Sequence, residues 1–242
     1  MAKKGEKKHL KRLNAPKVRK GSKKTKKWAI TSSPGPHPSD RSLPLSASLR
    51  ENLKLVRNIR EARKILSQGE VQVDGKARRD SRYSVGLMDV IEVPKTGKRW
   101  RVLFDKKGYL CFHEIGEDES QFKLARVANK TTFSGGNLQV SLHDGKTLVG
   151  DFEDFDLGDV VKIGLPDLEI QDRIPLKKDN LAMIIGGSNV GRTGRIREVL
   201  EVEGPSSNQI VIETDGEKFQ SPEEYVFMIG RDEPEISLPG GD

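Results

Sequence analysis

The sequence predicts an α+β, multi-domain and β-rich protein that begins with a basic extended arm. Three observations support this fold class. Positive charge is concentrated in the first thirty residues, helical spacing of apolar residues is confined to one stretch around residue 60, and short apolar runs between turn residues fill the remainder. With 242 residues, 34% hydrophobic and 33% charged, the chain is expected to form several small units with modest cores.

Residues 1–42 form the predicted arm. Thirteen of the first thirty residues are Lys or Arg and only Glu6 is acidic, so this stretch carries +12, whereas the remaining 212 residues sum to −5. Such a segment has too little apolar surface to fold alone, and the Pro-rich stretch 33–38 fixes an extended path. We therefore expect the arm to order only against a partner. Nucleic acid is the leading candidate because its phosphates attract clustered cations, and the alternative is a solvated tail.

Residues 43–96 are predicted to form a helix-helix-hairpin unit. Apolar residues at helical spacing indicate the first helix, namely Leu49, Leu53 and Val56. A second helix is expected to begin at Asn58, which forms a capping box with Glu61, and to end at Gly69. The dipeptide Asp74-Gly75 then marks a hairpin turn. The strands expected on either side of this turn are Val71–Val73 and Gly86–Val93.

The second predicted helix has an apolar face and a cationic face. Its apolar stripe consists of Ile59, Ala62, Ile65 and Leu66. The cationic face continues onto the hairpin, so two elements present one basic groove whose Arg side chains offer planar, forked donors to RNA phosphates. A solvated helix face is the alternative. The candidate RNA-binding residues of this region are Arg50, Arg57, Arg60, Arg63, Lys64, Lys76, Arg78 and Arg79, and those of the arm are Lys3, Lys4, Lys7, Lys8, Lys11, Arg12, Lys17, Arg19, Lys20, Lys23, Lys24, Lys26 and Lys27.

Residues 97–172 lack helical periodicity and are predicted to form a central small β barrel. Turn signals separate its apolar runs at Lys107-Gly108, Gly135–Asn137 and Asp144-Gly145. Residues 173–242 are predicted to form an SH3-like barrel, followed by a loose acidic end at Asp232–Asp242. The expected strands of this barrel are Leu181–Ile185, Arg195–Glu201, Gln209–Glu213 and Tyr225–Ile229.

The segment Gly186–Thr193 nearly matches the phosphate-binding loop G-x-x-x-x-G-K-[ST]. Arg192 stands where that loop needs Lys, and a predicted strand follows where the loop needs a helix. We therefore interpret the segment as a Gly-rich turn that lets backbone and side chains approach an RNA phosphate closely. Its candidate RNA-binding residues are Arg192 and Arg195. A tight hairpin without a ligand is the alternative.

No catalytic or metal-binding pattern is visible in the sequence. Cys111 and His113 lie on one face of a predicted strand, which does not align them for proton transfer, so Cys111 is interpreted as a buried structural thiol. The acidic runs Glu114–Glu119 and Asp151–Asp156 lack the spacing of a calcium loop and are interpreted as solvated loops. We therefore expect no cofactor, no metal and no enzymatic activity.

The cysteine count and the apolar runs predict the compartment. One Cys excludes an intramolecular disulfide, and four scattered His residues lack metal-ligand spacing. The longest strongly apolar run, Leu181–Ile185, is too short to span a bilayer. We expect a soluble protein of the reducing cytosol without a membrane partner.

Three stretches between residues 49 and 91 resemble the small RNA-binding module named after the bacterial ribosomal protein S-four. They are Leu49-Arg50-x-x-Leu53, Glu61–Lys76 and Tyr83–Ile91. This module occurs in ribosomal proteins, pseudouridine synthases, methyltransferases and a tRNA synthetase. The resemblance therefore implies RNA binding rather than a particular task.

The order of motifs along essentially the whole chain resembles the four-e family of small-subunit ribosomal proteins of archaea and eukaryotes. Lys8–Pro16 and Ser33–His37 lie before the module, and Leu181–Val199, which resembles a KOW motif, lies after the central domain. The resemblance implies a KOW-type C-terminal barrel and a structural rRNA binder in the body of the small subunit. Its expected partners are small-subunit rRNA and neighbouring ribosomal proteins, with no small-molecule substrate and no homo-oligomer, and its expected location is the cytoplasmic ribosome.

Two other function classes compete with this interpretation. An RNA-modifying enzyme would use the same module for delivery, but it needs a catalytic domain after Val93, and the sequence shows no methyl-donor loop between a strand and a helix. A KOW-containing transcription or translation factor would visit the ribosome or polymerase only transiently. Release from ribosomal subunits at moderate salt would distinguish such a factor from a resident protein.

Overall fold

A computed structural model of the chain describes residues 9–21, 24, 26–132, 137–204, 207–214 and 216–239. Within these residues the helices are α1 (Leu45–Ala47), α2 (Ile59–Ser67) and α3 (Glu117–Ser120). The strands are β1 (Leu10–Lys11), β2 (Trp28–Ala29), β3 (Leu43–Pro44), β4 (Gln72–Val73), β5 (Lys76–Ala77), β6 (Ser84–Val85), β7 (Val90–Val93), β8 (Lys98–Phe104), β9 (Leu110–Glu114), β10 (Phe122–Thr132), β11 (Leu138–Leu142), β12 (Thr147–Gly150), β13 (Val160–Gly164), β14 (Ile170–Ile174), β15 (Leu181–Ile184), β16 (Thr193–Leu200), β17 (Gln209–Thr214), β18 (Glu217–Pro222) and β19 (Val226–Gly230). The candidates Lys3, Lys4, Lys7, Lys8 and Lys23 lie outside the described residues, as do Gly135, Gly136 and residues 240–242.

The described part of the arm packs on the body of the protein. β1 pairs with β2, the amide of Leu110 donates to the carbonyl oxygen of Val18 at 2.9 Å, and Arg82 Nε donates to the carbonyl oxygen of Thr31 at 2.9 Å. The prediction that the arm orders only against a partner is therefore wrong for these residues. Composition could not predict the packing of the arm, because its polar groups bind residues that are distant in the sequence.

The first helix is shorter than its apolar spacing predicts. α1 continues into a π-helical turn over Ser48–Asn52, and the chain then leaves the helix, with Lys54 at a φ of 54°. Leu49 and Val56 are both buried, but Val56 reaches the core from the loop. The predicted extension of the helix to Val56 is wrong. The apolar spacing of Leu49 and Val56 reflects burial of both residues in the core, which does not require both to lie on one helix.

The second helix is confirmed. The Asn58 side chain accepts a hydrogen bond from the Glu61 amide at 2.9 Å, and Gly69 follows the helix with a φ of 76°. The predicted reciprocal bond of the capping box reaches one residue further, because the Glu61 carboxylate accepts from the Arg57 amide at 2.8 Å. The hairpin turn is also confirmed, with positive φ at both Asp74 (52°) and Gly75 (71°).

Three five-stranded antiparallel sheets form the body. Their strand orders are β5-β4-β7-β8-β9, β12-β11-β10-β13-β14 and β18-β17-β16-β15-β19. The first sheet joins the hairpin to β8 and β9, so strand pairing crosses the predicted boundary at residue 96. The other domain boundaries stay predictions.

The central region forms one five-stranded antiparallel sheet where a small β barrel was predicted. β10 pairs with β13 through its first half and with β11 through its second half, with a register shift between Val127 and Asn129. Among the described strands no pairing joins β12 to β14. β8 pairs with β7 and with β9 instead, so both β8 and β9 belong to the first sheet. The five remaining strands are enough for a small barrel, so the predicted barrel stays a prediction.

The C-terminal sheet contains all four predicted strands within about two residues of their expected ends, together with β18, which lacks clear apolar alternation. The acidic end beyond it is not loose where the structure describes it. Ile236 is only 3% exposed, the Glu235 amide donates to the Ile229 carbonyl oxygen at 2.8 Å, and Ser237 Oγ donates to Glu119 Oε2 at 2.7 Å.

Two hydrophobic cores lie within these sheets. The larger core is continuous from the helices through the first sheet to the C-terminal sheet, and it includes Leu66, Leu103 and Phe227. The smaller core lies on the central sheet around Val127 and Ile163. The expectation of several separate small cores is wrong because the sheets pack on each other.

Candidate nucleic-acid interface

The α2 helix presents a cationic face to solvent. Ala62 and Leu66 are fully buried, which fixes the rotation of the helix. Opposite them, the side chains of Arg57, Arg60, Arg63 and Lys64 are exposed. No carboxylate of the described chain forms an ion pair with these four groups. Their charges are therefore available to an external anion.

The hairpin extends this cationic face. Lys76 and Arg79 are exposed, and the Arg79 side chain lies beside Gly69, where a Cβ would be 3.8 Å from Arg79 Nε. This contact places Arg79 at the C-terminal end of α2. Arg78 is half-buried, with its guanidinium 4.6 Å from the centre of the Tyr83 ring. We refer to the exposed cations of α2 and the hairpin as the basic helix-hairpin surface.

Three of the predicted RNA-binding arginines are turned toward the protein. Arg12 binds Glu51 with both terminal nitrogens, each at 3.2 Å, and Arg50 binds the same carboxylate. Burial alone would raise the pKa of Glu51, but the hydrogen bonds from both arginines lower it below its ordinary value. Arg19 donates to the Ile30 carbonyl oxygen at 2.7 Å, and burial lowers its pKa to about 10 against the opposing attraction of Glu51. These arginines hold the arm in place.

The remaining described cations of the arm are on the surface. They are Lys11, Lys17, Lys20, Lys24, Lys26 and Lys27. Trp28 is 50% exposed beside them, with Lys27 Nζ 5.3 Å and the His9 ring 5.5 Å from its own ring. An exposed indole can stack on a nucleobase, and the sequence analysis missed it. An aromatic residue next to a lysine run was the available signal.

The Gly-rich segment is a hairpin turn between β15 and β16. The Gly191 amide donates to the Ile184 carbonyl oxygen at 2.8 Å, and the segment opens a strand instead of a helix, as predicted. Arg192 is exposed and lies 3.5 Å from Glu217. Arg195 instead donates to the carbonyl oxygens of Asp179 and Asp232, so it stabilises the fold.

A buried charge network connects the arm, the hairpin and the central sheet, and the sequence analysis missed it. Lys123 Nζ is 2.8 Å from Asp74, 2.5 Å from Asp89 and 2.9 Å from Asp144. Lys146 also binds Asp74 and Asp144, each at 2.8 Å. Burial alone would lower the pKa of Lys123, but the three carboxylates raise it well above its ordinary value. Contacts between residues this far apart in the chain cannot be predicted from a single sequence.

Two histidines complete this network. His37 of the arm donates from Nε2 to Asp89 at 2.9 Å. His143 Nδ1 accepts from the Arg126 amide at 3.2 Å and its Nε2 donates to the Leu87 carbonyl oxygen at 3.3 Å, which fixes the neutral form. Burial, reinforced by the charge of Lys123, lowers the pKa of His143 to about 4. The network therefore joins the arm and the hairpin to the central sheet.

Cys111 and the acidic residues show no arrangement for catalysis or metal binding within the described chain. Cys111 is half-buried, its thiol donates to the Leu103 carbonyl oxygen at 3.4 Å, and burial together with Asp105 raises its pKa to about 11. Across the described ranges, no group of His, Cys, Asp and Glu residues could hold a metal ion. No helix in those ranges is both long enough and apolar enough to cross a bilayer.

A cationic surface on a short helix and a hairpin is typical of RNA-binding proteins. Family models match three consecutive parts of the chain: an RS4NT (NUC023) domain at residues 4–40, an S4 domain at residues 49–91, and the Ribosomal family S4e at residues 96–170. The chain belongs to the S4e family of ribosomal proteins, because relatives of that name match it along nearly its whole length.

Two of these relatives are named small ribosomal subunit protein eS4. The protein from Methanothermobacter thermautotrophicus is 46% identical over 235 residues, which cover 97% of this chain and 97% of that protein. The protein from Methanosphaera stadtmanae is 41% identical over 240 residues, which cover 99% of each chain. A crystal structure of the 30S ribosomal protein S4e from Thermoplasma acidophilum is 35% identical, with a TM-score of 0.70, and covers 79% of this chain and 96% of that one.

Proposed function

We propose that this chain is a structural constituent of the small ribosomal subunit that binds rRNA and supports subunit assembly and translation. Its relatives are named as proteins of that subunit, and the family consists of ribosomal structural proteins, not enzymes. The observation that carries the RNA contact is the basic helix-hairpin surface, where exposed cations converge without carboxylate partners in the described chain.

The basic helix-hairpin surface would bind folded RNA through its backbone. Neutralisation of phosphates by Lys and Arg releases condensed counterions, which provides affinity that depends on salt. Arg side chains add planar, bidentate contacts and can stack on unpaired bases. We assign the contacts on this surface to Arg57, Arg60, Arg63, Lys64, Lys76 and Arg79, and a further contact to the half-buried Arg78 next to it.

The arm and the Gly-rich turn would add further contacts. The exposed lysines from Lys11 to Lys27, with Lys3, Lys4, Lys7, Lys8 and Lys23, supply charge along the arm, and Arg192 supplies it at the turn. Arg12, Arg19, Arg50 and Arg195 act as positioning residues, because each binds a group of the protein itself.

The C-terminal sheet fits the proposed KOW-type SH3-like barrel. It has five short antiparallel strands, and the glycines of the Gly-rich turn lie between the first two of them along the chain. We propose further that the protein acts as a single copy on the cytoplasmic ribosome beside neighbouring small-subunit proteins. Residues 1–42, 43–96, 97–172 and 173–242 are the proposed functional units.

Crosslinking in cells tests this function. The protein is crosslinked to RNA by ultraviolet light, the attached RNA is sequenced, and sedimentation of the protein is followed at high salt. A resident ribosomal protein is expected to give crosslinks at a few small-subunit rRNA sites and to stay with the subunit. Crosslinks scattered over tRNA or messages, with release by salt, would instead indicate a transient RNA-binding factor.

A binding assay tests the surface itself. The double substitution Arg60→Gln/Arg63→Gln is expected to weaken binding to the crosslinked rRNA fragment, and each lost phosphate contact reduces the slope of log affinity against log salt by about 1. Lys177→Gln/Lys178→Gln is the matched control, because these exposed lysines lie outside the proposed surface. An unchanged slope in the arginine variant would exclude this surface as the rRNA contact.

A further inference from the structure

A cleft of about 900 Å³ lies where the arm, the turn between β8 and β9, and the Gly-rich turn meet. We propose that this cleft is a second RNA-binding site, which holds an unpaired nucleotide segment. The inference rests on the proposed rRNA-binding function, and it adds to that function a separate site with its own ligand class.

The charge of the cleft favours a polyanion. Lys17, Arg41, Lys106 and Lys107 line it, and Asp40 is the one acidic residue in the lining. These four cations are exposed, and none has a carboxylate partner in the described chain. The cleft therefore concentrates positive charge in a concave surface, where it attracts a phosphodiester backbone more strongly than a flat surface does.

Two aromatic rings in the cleft favour unpaired bases. Tyr109 and Tyr225 both line it, each half-buried, and the Arg41 guanidinium lies 5.9 Å from the centre of the Tyr225 ring. Rings of this kind stack on bases that are not already stacked in a helix. A duplex presents only its backbone to a concave site, so it would leave these rings unused.

The walls of the cleft are held together by direct contacts, which makes it preformed. A Cβ on Gly191 would lie 2.2 Å from the Asp105 carbonyl oxygen, so the two turns touch there through their backbones. A Cβ on Gly108 would lie 2.8 Å from the Val190 side chain, which packs against that glycine. The Tyr225 ring lies against Gly186, where a Cβ would be 2.5 Å from the ring. A preformed site loses little conformational freedom on binding, which favours affinity.

The size of the cleft also suits this ligand. Its volume lies within the range of about 300–1,000 Å³ that is usual for ligand sites in proteins. A short single-stranded segment can enter a site of this size. The basic helix-hairpin surface remains available for a folded part of the same RNA.

The test uses the full chain and a fluorescein-labelled single-stranded hexaribonucleotide that contains 4-thiouridine. Binding is followed by anisotropy, and the crosslinked peptides are identified by mass spectrometry. We expect crosslinks in the peptides that contain Tyr109 or Tyr225, and weaker binding to a duplex of the same sequence. We expect Lys106→Gln/Lys107→Gln to weaken single-strand binding roughly tenfold through lost phosphate contacts, and Tyr109→Leu to weaken it about fivefold or more through lost stacking.

The control Lys177→Gln/Lys178→Gln removes two positive charges from consecutive lysines that do not line the cleft. It is expected to change binding of the single strand less than twofold. Equal losses in the two lysine variants, or equal binding of duplex and single strand, would overturn the proposed site. Displacement of the oligonucleotide by an uncharged-backbone analogue would do the same. Displacement by a poly-glutamate peptide of equal charge would assign the cleft to an acidic protein segment instead.

The Arg60→Gln/Arg63→Gln variant distinguishes this inference from the proposed function. It is expected to lose affinity for the rRNA fragment and to keep its affinity for the single strand. If the cleft variants bind the single strand normally while the arginine variant still loses the rRNA fragment, the cleft site is refuted and the proposed function stands. If the wild-type chain binds neither RNA, both proposals are refuted.

Discussion

Individual charged residues inside this protein connect its parts. The Lys123 side chain is 1% exposed and contacts carboxylates from the hairpin turn, the loop before β7 and the turn between β11 and β12. Burial of an ammonium group is costly unless it is paired, and here three carboxylates compensate for that cost. Lys123 therefore fixes the hairpin relative to the central sheet, together with Lys146, which also binds Asp74.

Replacement of Lys123 by Met is expected to lower the free energy of unfolding by about 3–5 kcal/mol, because it leaves buried carboxylates without their main partner. Urea denaturation measures this change. Lys162→Met is the matched control on the next strand, since Lys162 forms a partly exposed ion pair with Glu235 that is worth about 1 kcal/mol or less. Equal losses in the two variants would show that the network contributes no more than a surface pair.

His143 gives stability a defined dependence on pH. Its pKa falls from 6.5 in the unfolded chain to about 4 in the folded protein. The unfolded chain therefore takes up a proton first, so the contribution of His143 to stability is complete above pH 6.5 and is lost as the pH falls toward 4. We expect a loss of about 2 kcal/mol between pH 7.5 and pH 5, measured by urea unfolding at each pH.

His143→Gln is expected to reduce this loss, since glutamine does not titrate in that range. The carboxylates of Asp89 and Asp144 act in a separate, more acidic range. Burial alone would raise the pKa of both carboxylates. His37 and Lys123 lower the pKa of Asp89, and Lys123 and Lys146 lower the pKa of Asp144. Their contribution is present above the ordinary carboxyl pKa and is lost only below it. If the free energy of unfolding of His143→Gln depended on pH just as that of the wild type does, the assignment of this pH dependence to His143 would be contradicted.

At the scale of elements, turns determine how the sheets contact each other. The Gly-rich turn and the turn between β8 and β9 touch through Gly191 and Asp105, and the adjacent residues Val190 and Lys106 of the same turns line the proposed cleft. The helix α2 is likewise oriented by its buried Ala62 and Leu66 and begins at the Asn58 cap. Both elements thus place their exposed cations through local backbone features.

Gly191→Ala is expected to destabilise the protein more than Gly216→Ala. Both glycines have positive φ, 77° and 83°, so both substitutions incur the cost of about 1 kcal/mol for a left-handed backbone. Only Gly191 faces a backbone carbonyl, and we expect a further loss of roughly 1–3 kcal/mol from overpacking. Thermal unfolding of the two variants measures the difference, and equal melting temperatures would show that the two turns do not touch in solution.

For the whole molecule, the arm is part of the folded body from residue 9 where the structure describes it. Arg12 and Arg50 both form ion pairs with Glu51, and Arg19 donates a hydrogen bond to the Ile30 carbonyl oxygen. A packed arm displays its exposed lysines at fixed positions. Less conformational freedom is then lost when RNA binds than with a disordered tail.

Glu51→Gln is expected to loosen the arm, because it removes the charge that holds Arg12 and Arg50. Limited trypsin digestion, followed by mass spectrometry, should cleave the variant after Lys17 or Lys20 several-fold faster than wild type while the body stays intact. Glu217→Gln removes a charge from an exposed pair and serves as the control. Cleavage of the wild type at the same rate as the variant would contradict a packed arm.

Much of the local structure could be predicted because it depends on neighbouring residues. The Asn58 cap, the Asp74-Gly75 turn and four C-terminal strands follow from periodicity and turn chemistry, and the cationic face of α2 follows from the same periodicity. The features that could not be predicted concern residues whose environment comes from elsewhere in the chain. Arg12 and Arg195 carry the same charge as Arg60, and only their distant partners distinguish them.

The sequence alone determined the polarity of the chain, the character of its local elements and the resemblance to its family, because charge, periodicity and motif order are properties of neighbouring residues. The tertiary structure decided which cations are exposed, that the described arm and acidic end pack on the body, and that Lys123 joins the hairpin unit to the central sheet. It also decided that two glycine turns and the arm enclose a cleft. Contacts between residues far apart in sequence have no local signature, so only folding brings their charges and surfaces together.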